Sequence, residues 1–302
     1  MSTARKVGIF FAGYAVLLIA MFLIFGSDGK NDEFQPQNEF LLDPWISIEI
    51  FGLDMSINKA VLYIVLAAVF TCVAMIYIAN RMKAKPNRVQ MATELAYDVV
   101  AKQITRDNLN DKMAARWFPF LGTLFFFILF SNFIGLIPLP TNTEHEIDIF
   151  GVMVPSFALY AATANISIPL ALSLVVWIAF NVEGVRDKGF FGYLKSWLPA
   201  GIEDMPGAFK GFVFVIEAIS KTVRLISLSV RLFANILAGH LLLLFMGGGL
   251  AVLLGLSALG ALTFPMAFAF FVFEIIIVAG LQAFIFSILT AIYLGEATSE
   301  SH

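Results

Sequence analysis

Six segments of this 302-residue chain are each long and apolar enough to cross a lipid bilayer, and this pattern restricts the fold more than any other feature. A membrane-spanning helix needs about 20 mostly apolar residues. The sequence is 60% hydrophobic and 14% charged, whereas soluble domains contain about 25% charged residues. The sequence therefore predicts an all-α integral membrane protein with five to six membrane helices. The predicted helices cover residues 7–25, 59–80, 117–137, 154–181, 212–246 and 250–294.

The apolar segments divide the chain into four parts. Residues 1–26 form an N-terminal helix, which is either retained as a membrane helix or removed as a signal peptide. A polar outer segment covers residues 27–58, the membrane domain covers 59–296, and a short tail covers 297–302. The last two helices of the membrane domain are the longest, and three consecutive glycines between them predict a hairpin.

The Lys and Arg residues predict how the helices are oriented. Residues 81–116 contain eight basic residues and residues 182–210 contain four, whereas residues 140–153 contain none. Because loops rich in Lys and Arg remain on the cytoplasmic side, both basic segments and both termini are predicted to be cytoplasmic. Residues 88–114 mix apolar with charged side chains, which favours an amphipathic helix at the cytoplasmic membrane surface. An ordinary solvated helix is the alternative.

The sequence lacks the motifs that are typical of several classes of function. The net charge of -3 gives no case for nucleic-acid binding, and the sequence has neither a phosphate-binding Gly-rich loop nor a His-Glu-x-x-His metal motif. The three histidines have no ligand-like spacing, so we expect no cofactor, no metal and no bond chemistry. One cluster in the outer loop binds a divalent ion, collects protons at the channel entrance or, more simply, is part of a solvated loop: Glu144, His145, Glu146 and Asp148.

The fifth apolar segment carries polar side chains at intervals of three and four residues. At about 100° per residue, these side chains form one stripe from the cytoplasmic end to the middle of the membrane. The polar stripe consists of Glu217, Ser220, Arg224, Ser227, Arg231 and Asn235. Arg231 is too deep to reach the interface, and burying an arginine costs at least about 2.5–3.5 kcal/mol. The stripe therefore lines an aqueous path, faces a partner, or holds an ion pair that only fixes packing.

A second group of polar residues lies toward the outer end of the same hairpin. His240 is on the side of its helix opposite Arg231, and Glu274 and Gln282 interrupt the apolar sixth segment. Arg231 is the last Lys or Arg in the chain, so Glu274 is predicted to be protonatable or partnered by His240. With Asn235 at the outer end of the stripe, these residues predict an outer proton path that does not join the cytoplasmic path from Glu217 to Arg231. Since an arginine does not deprotonate, Arg231 can separate the two paths.

Four stretches resemble subunit a of the F-type ATP synthase, the stator half of its proton channel. The resemblance covers roughly residues 45–296. The stretches are SLSVRLFANILAGH (227–240), LQAFIFSILTAIYL (281–294), FILFSNFIGLIP (127–138) and, more weakly, LPAGIEDMPGAF (198–209). The resemblance implies a channel subunit without catalysis of its own, whose last two helices lie tilted against a rotating ring of c subunits. It also implies peripheral-stalk b subunits, the lipid membrane and, indirectly, the F1 catalytic head as partners.

The resemblance implies roles for individual residues as well. Arg231 corresponds to the arginine that faces the ring carboxylate and separates two offset half-channels. Glu217 corresponds to the acidic residue of the cytoplasmic exit path. The remaining correspondences, on the outer path, are Asn235, His240 and Gln282.

Two positions depart from the family. Leu225 replaces a proline that many relatives have, which suggests a straighter helix there. The family usually has an ionisable residue seven positions before the glutamine, but this position is Ile275, and Glu274 is one residue earlier. Either a local π turn restores the direction of the Glu274 side chain, or Glu274 has a different part.

The sequence leaves some alternatives open. A proton- or ion-coupled secondary transporter would also bury charged groups, but it predicts internal repeats, and the sequence has no such symmetry. The transported ion is H⁺ or Na⁺, with H⁺ favoured because the polar groups resemble a titratable relay. The long acidic outer segment favours the inner membrane of a bacterium over that of a mitochondrion.

Overall fold

The computed structural model describes residues 41–50, 53–54, 56–149, 152–198, 206–249 and 257–299, together with a few positions between 5 and 23. Five helices in this part of the chain are long and apolar enough to cross a membrane, namely Lys59–Asn80, Asp111–Gly135, Ser167–Lys188, Gly207–Gly249 and Thr263–Thr298. This confirms the prediction of an all-α integral membrane protein. Most of the predicted N-terminal helix and most of the outer segment 27–58 lie outside the described residues.

Asparagine side chains fix the starts of the first three described helices. Helix α1 is Lys59–Asn80, helix α2 is Arg88–Asp98, and helix α3 is Asp111–Gly135. The residue before each helix is an asparagine: Asn58, Asn87 and Asn110. Its side-chain oxygen accepts a hydrogen bond from a backbone N–H in the first turn of the helix, and this N–H has no partner within the helix. Helix α2 continues through a π-helical turn, Val99–Arg106. Its position on a membrane surface stays a prediction.

Two β-hairpins at one end of the helices were not predicted. A short one pairs β1 (Glu49–Ile50) with β2 (Leu53–Asp54). A longer one pairs β3 (Leu139–Ile149) with β4 (Val152–Ala158) in antiparallel register. The predicted start of the fourth helix at residue 154 was therefore wrong, because these residues pair with β3 as a strand.

The fourth membrane helix, α4, is Ser167–Lys188. It ends at Gly189, whose φ of 73° suits a residue without a Cβ, and a short helix α5 follows at Phe190–Lys195. Helix α6 runs without a break over Gly207–Leu244 and continues into a π-helical turn, Phe245–Gly249. Helix α7 (Ser257–Phe273) and helix α8 (Ala279–Thr298) form one continuous rod joined by the π-helical turn Glu274–Val278.

The core lies where α8 packs against α3 and α4 and where α4 packs against α6. It is filled by large apolar side chains that are almost fully buried, including Leu121, Ile128, Val176, Leu232, Ile236, Phe286 and Leu294. We call the end at which α3 begins and α4 and α8 end the basic end. The opposite end, which carries β3 and β4, is called the hairpin end.

Candidate functional site

A buried histidine–glutamate pair lies near the hairpin end, between α6 and the π-helical turn. His240 and Glu274 are each only 3% exposed. The Nδ1 atom of His240 lies 3.1 Å from Oε1 of Glu274. The predicted partnership of these two residues is therefore present in the structure.

Both ring nitrogens of His240 face hydrogen-bond acceptors. Nδ1 also lies 3.1 Å from the backbone oxygen of Ile236, and Nε2 lies 3.2 Å from the backbone oxygen of Gly135. If Nε2 donates to Gly135, the contact with Glu274 needs one further proton. That proton belongs either to the imidazole, as in an ion pair, or to the carboxyl, as in a neutral pair. The geometry thus suits two groups that share one proton.

A π-helical turn lies at the position of the one-residue offset of Glu274. The N–H of Ala279 donates to the backbone oxygen of Glu274, five residues back rather than four. One additional residue is accommodated in that turn. Glu274 and Gln282 are both buried, at 3% and 5% exposure. The structure therefore contains the π turn that the first alternative requires, and the part played by Glu274 stays a prediction.

Close approach of the backbones makes room for the pair. A Cβ at Gly239 would lie 2.7 Å from the Cδ atom of Glu274 and would overlap Oε1. A Cβ at Gly135 would lie 2.6 Å from the Cα atom of Ala161. Glycine at position 239 therefore allows the Glu274 carboxyl group to reach His240, and glycine at position 135 allows the end of α3 to pack directly against Ala161.

Two further buried polar residues adjoin this region, and the sequence analysis did not single them out. Thr163 Oγ1 donates to Asn132 Oδ1 at 3.0 Å, and the Asn132 amide lies 3.5 Å from the backbone oxygen of Ala279. Ala279 directly follows the π-helical turn. Asn132 lies within the stretch FILFSNFIGLIP, so its polar side chain among apolar neighbours was the available signal. The second oxygen of Glu274, Oε2, is buried and has no hydrogen-bond partner among the described residues.

The half of the polar stripe nearer the hairpin end faces away from the other described helices. Ser227, Arg231 and Asn235 are exposed, whereas Leu232 and Ile236 on a different face of α6 are buried. Among the described residues, no acidic group forms an ion pair with Arg231. The predicted separation of Arg231 from His240 on opposite sides of one helix is present, but Asn235 lies on the Arg231 side.

The half of the stripe nearer the basic end borders a cavity of about 130 Å³. Glu217 and Arg224 line it, and the Arg224 guanidinium forms an ion pair with Glu296 near the end of α8. Lys221 also lines the cavity, with its Nζ atom 4.3 Å from the centre of the Trp197 ring. Ser220 lies on the same face of α6 and is half-buried. The sequence analysis missed Glu296, although its position fourteen residues after Gln282 on α8 places both on a similar side of that helix.

The part of the chain that the structure describes contains no group of three His, Cys, Asp or Glu side chains that could hold a metal ion. Ionisable residues of α6 and of the helices packed against it instead form the buried pair, the exposed arginine and the cavity at the basic end. Together with five apolar helices, these features define an integral membrane protein that keeps ionisable groups at membrane depth.

The chain belongs to the ATP synthase A chain family, whose sequence profile matches residues 61–295. It is 35% identical over 272 residues to the proteins named ATP synthase subunit a from Brucella ovis, Brucella canis and Brucella suis. The similarity covers 88% of this chain and 98% of each of these relatives. The resemblance found in the sequence is thus confirmed.

Proposed function

We propose that this chain is the proton-translocating stator subunit in the membrane sector of ATP synthase and has no catalytic activity of its own. Two offset half-channels deliver protons to the carboxylate of a c-subunit ring and carry them away. The observation that supports this most is the arrangement on α6. The buried His240–Glu274 pair lies on one side of the helix, and the exposed Arg231 lies on the other.

The outer half-channel uses the buried pair as a relay. A proton arriving from outside is taken up by His240 and Glu274, which share a hydrogen bond across 3.1 Å. Gln282 and Asn235 continue the path toward the ring. General acid–base groups at hydrogen-bond distance suit such a transfer.

Arg231 separates the two half-channels. Its guanidinium stays charged at any accessible pH and therefore cannot pass a proton across. It is exposed on α6 and has no acidic partner among the described residues, so its charge is free to attract a ring carboxylate that has lost its proton. A lysine would serve less well, because burial lowers the pKa of an ammonium group.

The inner half-channel follows the stripe to the basic end. The proton released by the ring passes Ser227 and Ser220 and reaches the cavity lined by Glu217 and Glu296. Arg224 holds Glu296 in place through their ion pair. The basic end faces the cytoplasm of a bacterium, and the membrane potential supplies about 2.3 kcal/mol per charge per 100 mV.

The proposed partners are the c-subunit ring against Arg231, the b subunits of the peripheral stalk and, through them, the F1 catalytic head. The exposed half of the stripe supports the ring as a partner. An arginine directed at lipid costs at least about 2.5–3.5 kcal/mol, and a ring carboxylate would offset this cost.

The decisive variant is Arg231→Ala in the assembled complex. We expect ATP-driven proton pumping into inverted membrane vesicles to be lost and passive proton leak to rise, because nothing then separates the two half-channels. Arg88→Ala, which removes an exposed arginine of α2 outside the stripe, serves as the matched control. Near-normal pumping by the Arg231→Ala complex would overturn the proposal and favour the alternative function, a secondary transporter.

A further inference from the structure

A second cleft lies at the basic end, away from the polar stripe, between the start of α3 and the end of α4. Its volume is about 340 Å³. Five charged side chains and one hydroxyl contribute to its lining: Lys112, Arg116, Glu183, Arg186, Asp187 and Thr298. None of these residues belongs to the half-channels proposed above.

The charges of this cleft are only partly neutralised within the chain. Arg116 Nη1 donates to Glu183 Oε1 at 2.6 Å, and Glu183 is buried. Lys112, Arg186 and Asp187 are exposed and form no ion pair with any described residue. Two cations and one carboxylate are therefore available to a ligand.

An exposed apolar track on α4 ends at this cleft. The side chains at every fourth position are 42–48% exposed along the helix, in the order Leu170, Leu174, Ile178 and Val182. The next position in the series is Arg186, which lines the cleft. Because residues four apart are neighbours on a helix surface, the track leads from the hairpin end to a cation at the basic end.

We propose that this cleft binds a phospholipid whose headgroup carries a phosphate and a hydrogen-bond donor, as in phosphatidylethanolamine or phosphatidylglycerol. The phosphate contacts Lys112 and Arg186, the ammonium or hydroxyl group donates to Asp187, and an acyl chain follows the track on α4. Basic pockets between membrane helices on the cytoplasmic side are known to bind phospholipid headgroups. The cleft has the volume of roughly ten water molecules, which accommodates a phosphoethanolamine group.

The features favour a lipid over other occupants. A soluble phosphate would use the cations but leave the apolar track without a function. A partner helix would bury Lys112, Arg186 and Asp187 together, and burying charged groups is costly unless each finds a partner. A phospholipid matches the phosphate-binding cations, the carboxylate and the apolar track at once.

Native mass spectrometry of the delipidated, assembled complex tests the headgroup. We expect the wild type to retain one added phosphatidylethanolamine and a Lys112→Gln/Arg186→Gln double variant to retain it at least tenfold less. A Lys83→Gln/Lys102→Gln double variant removes the same charge outside the cleft and should behave as wild type. Equal retention by the cleft variant, equal retention of phosphatidylcholine, or displacement of the lipid by inorganic phosphate would each overturn the proposal.

A photo-crosslinking amino acid in place of Val182 tests the track in the native membrane. A mass increase of the chain equal to one phospholipid is the expected result. A cross-link to another polypeptide at this position would show that a protein covers α4 and would refute the lipid site. This readout does not depend on proton transport, so it is independent of the function proposed above.

Discussion

Replacing Gly239 with alanine should separate the buried histidine and glutamate without removing either. The new Cβ would lie 2.7 Å from Glu274 Cδ, whereas carbon atoms in contact lie about 3.5–4.0 Å apart. The carboxyl group must therefore retreat by about 1 Å, which lengthens the 3.1 Å contact with His240 beyond a hydrogen bond. Since a misplacement of about 1 Å can cost roughly a hundredfold in rate, we expect ATP-driven pumping in vesicles to fall at least tenfold.

Two comparisons make this prediction specific. Gly280→Ala adds the same methyl group where no atom lies within 4 Å, and pumping should stay normal. Glu274→Asp in the Gly239→Ala background shortens the acid by one methylene and should restore part of the activity. Alanine is more favourable than glycine in a helix by about 1 kcal/mol, so a loss of pumping in Gly239→Ala cannot be attributed to a less stable helix. Unchanged pumping by an assembled Gly239→Ala complex would refute the reasoning about this pair.

Two other changes test the basic end and the packing of the bundle. Glu296→Gln removes the carboxylate that pairs with Arg224 and should slow ATP-driven pumping severalfold without raising passive leak; an unaltered rate would exclude Glu296 from the inner half-channel. Gly184→Ala would place a Cβ 2.6 Å from Cδ2 of Tyr193 and would overlap Cε2 of the same ring, so we expect about 1–3 kcal/mol of destabilisation from overpacking and a lower midpoint of thermal unfolding in detergent. Gly192→Ala, whose Cβ would make an ordinary 3.5 Å contact, should leave that midpoint unchanged.

The sequence predicted the long helices and the directions of their polar side chains well. Periodicity is a local property, so the spacing within α6 was enough to place Arg231 and His240 on opposite sides. The resemblance added the expected position of an ionisable residue on the sixth helix. That expectation made the one-residue offset of Glu274 visible and pointed to the π-helical turn that the structure contains.

The features that the sequence did not predict depend on contacts between distant residues. Residues 152–158 are mostly apolar and resemble the start of a helix, but they form a strand because residues 139–149 pair with them. Glu296 resembles a solvated residue near the end of the chain, yet it pairs with Arg224, which is 72 residues away. Spacing along α8 indicates the side on which Glu296 lies, but neither partnership is encoded by a periodic pattern within one helix.

The short distance between His240 and Glu274 also determines how strongly an electric field can act on them. In the proposed relay, passing a proton from one group to the other creates or removes two opposite charges together, so the buried site keeps its net charge. The proton moves at most about 3.1 Å, roughly a tenth of the apolar thickness of about 30 Å. A potential of 100 mV therefore changes the energy of this step by at most about 0.2 kcal/mol. If the pair acts as the proposed relay, the membrane voltage acts mainly on the steps that bring protons to the pair and take them away.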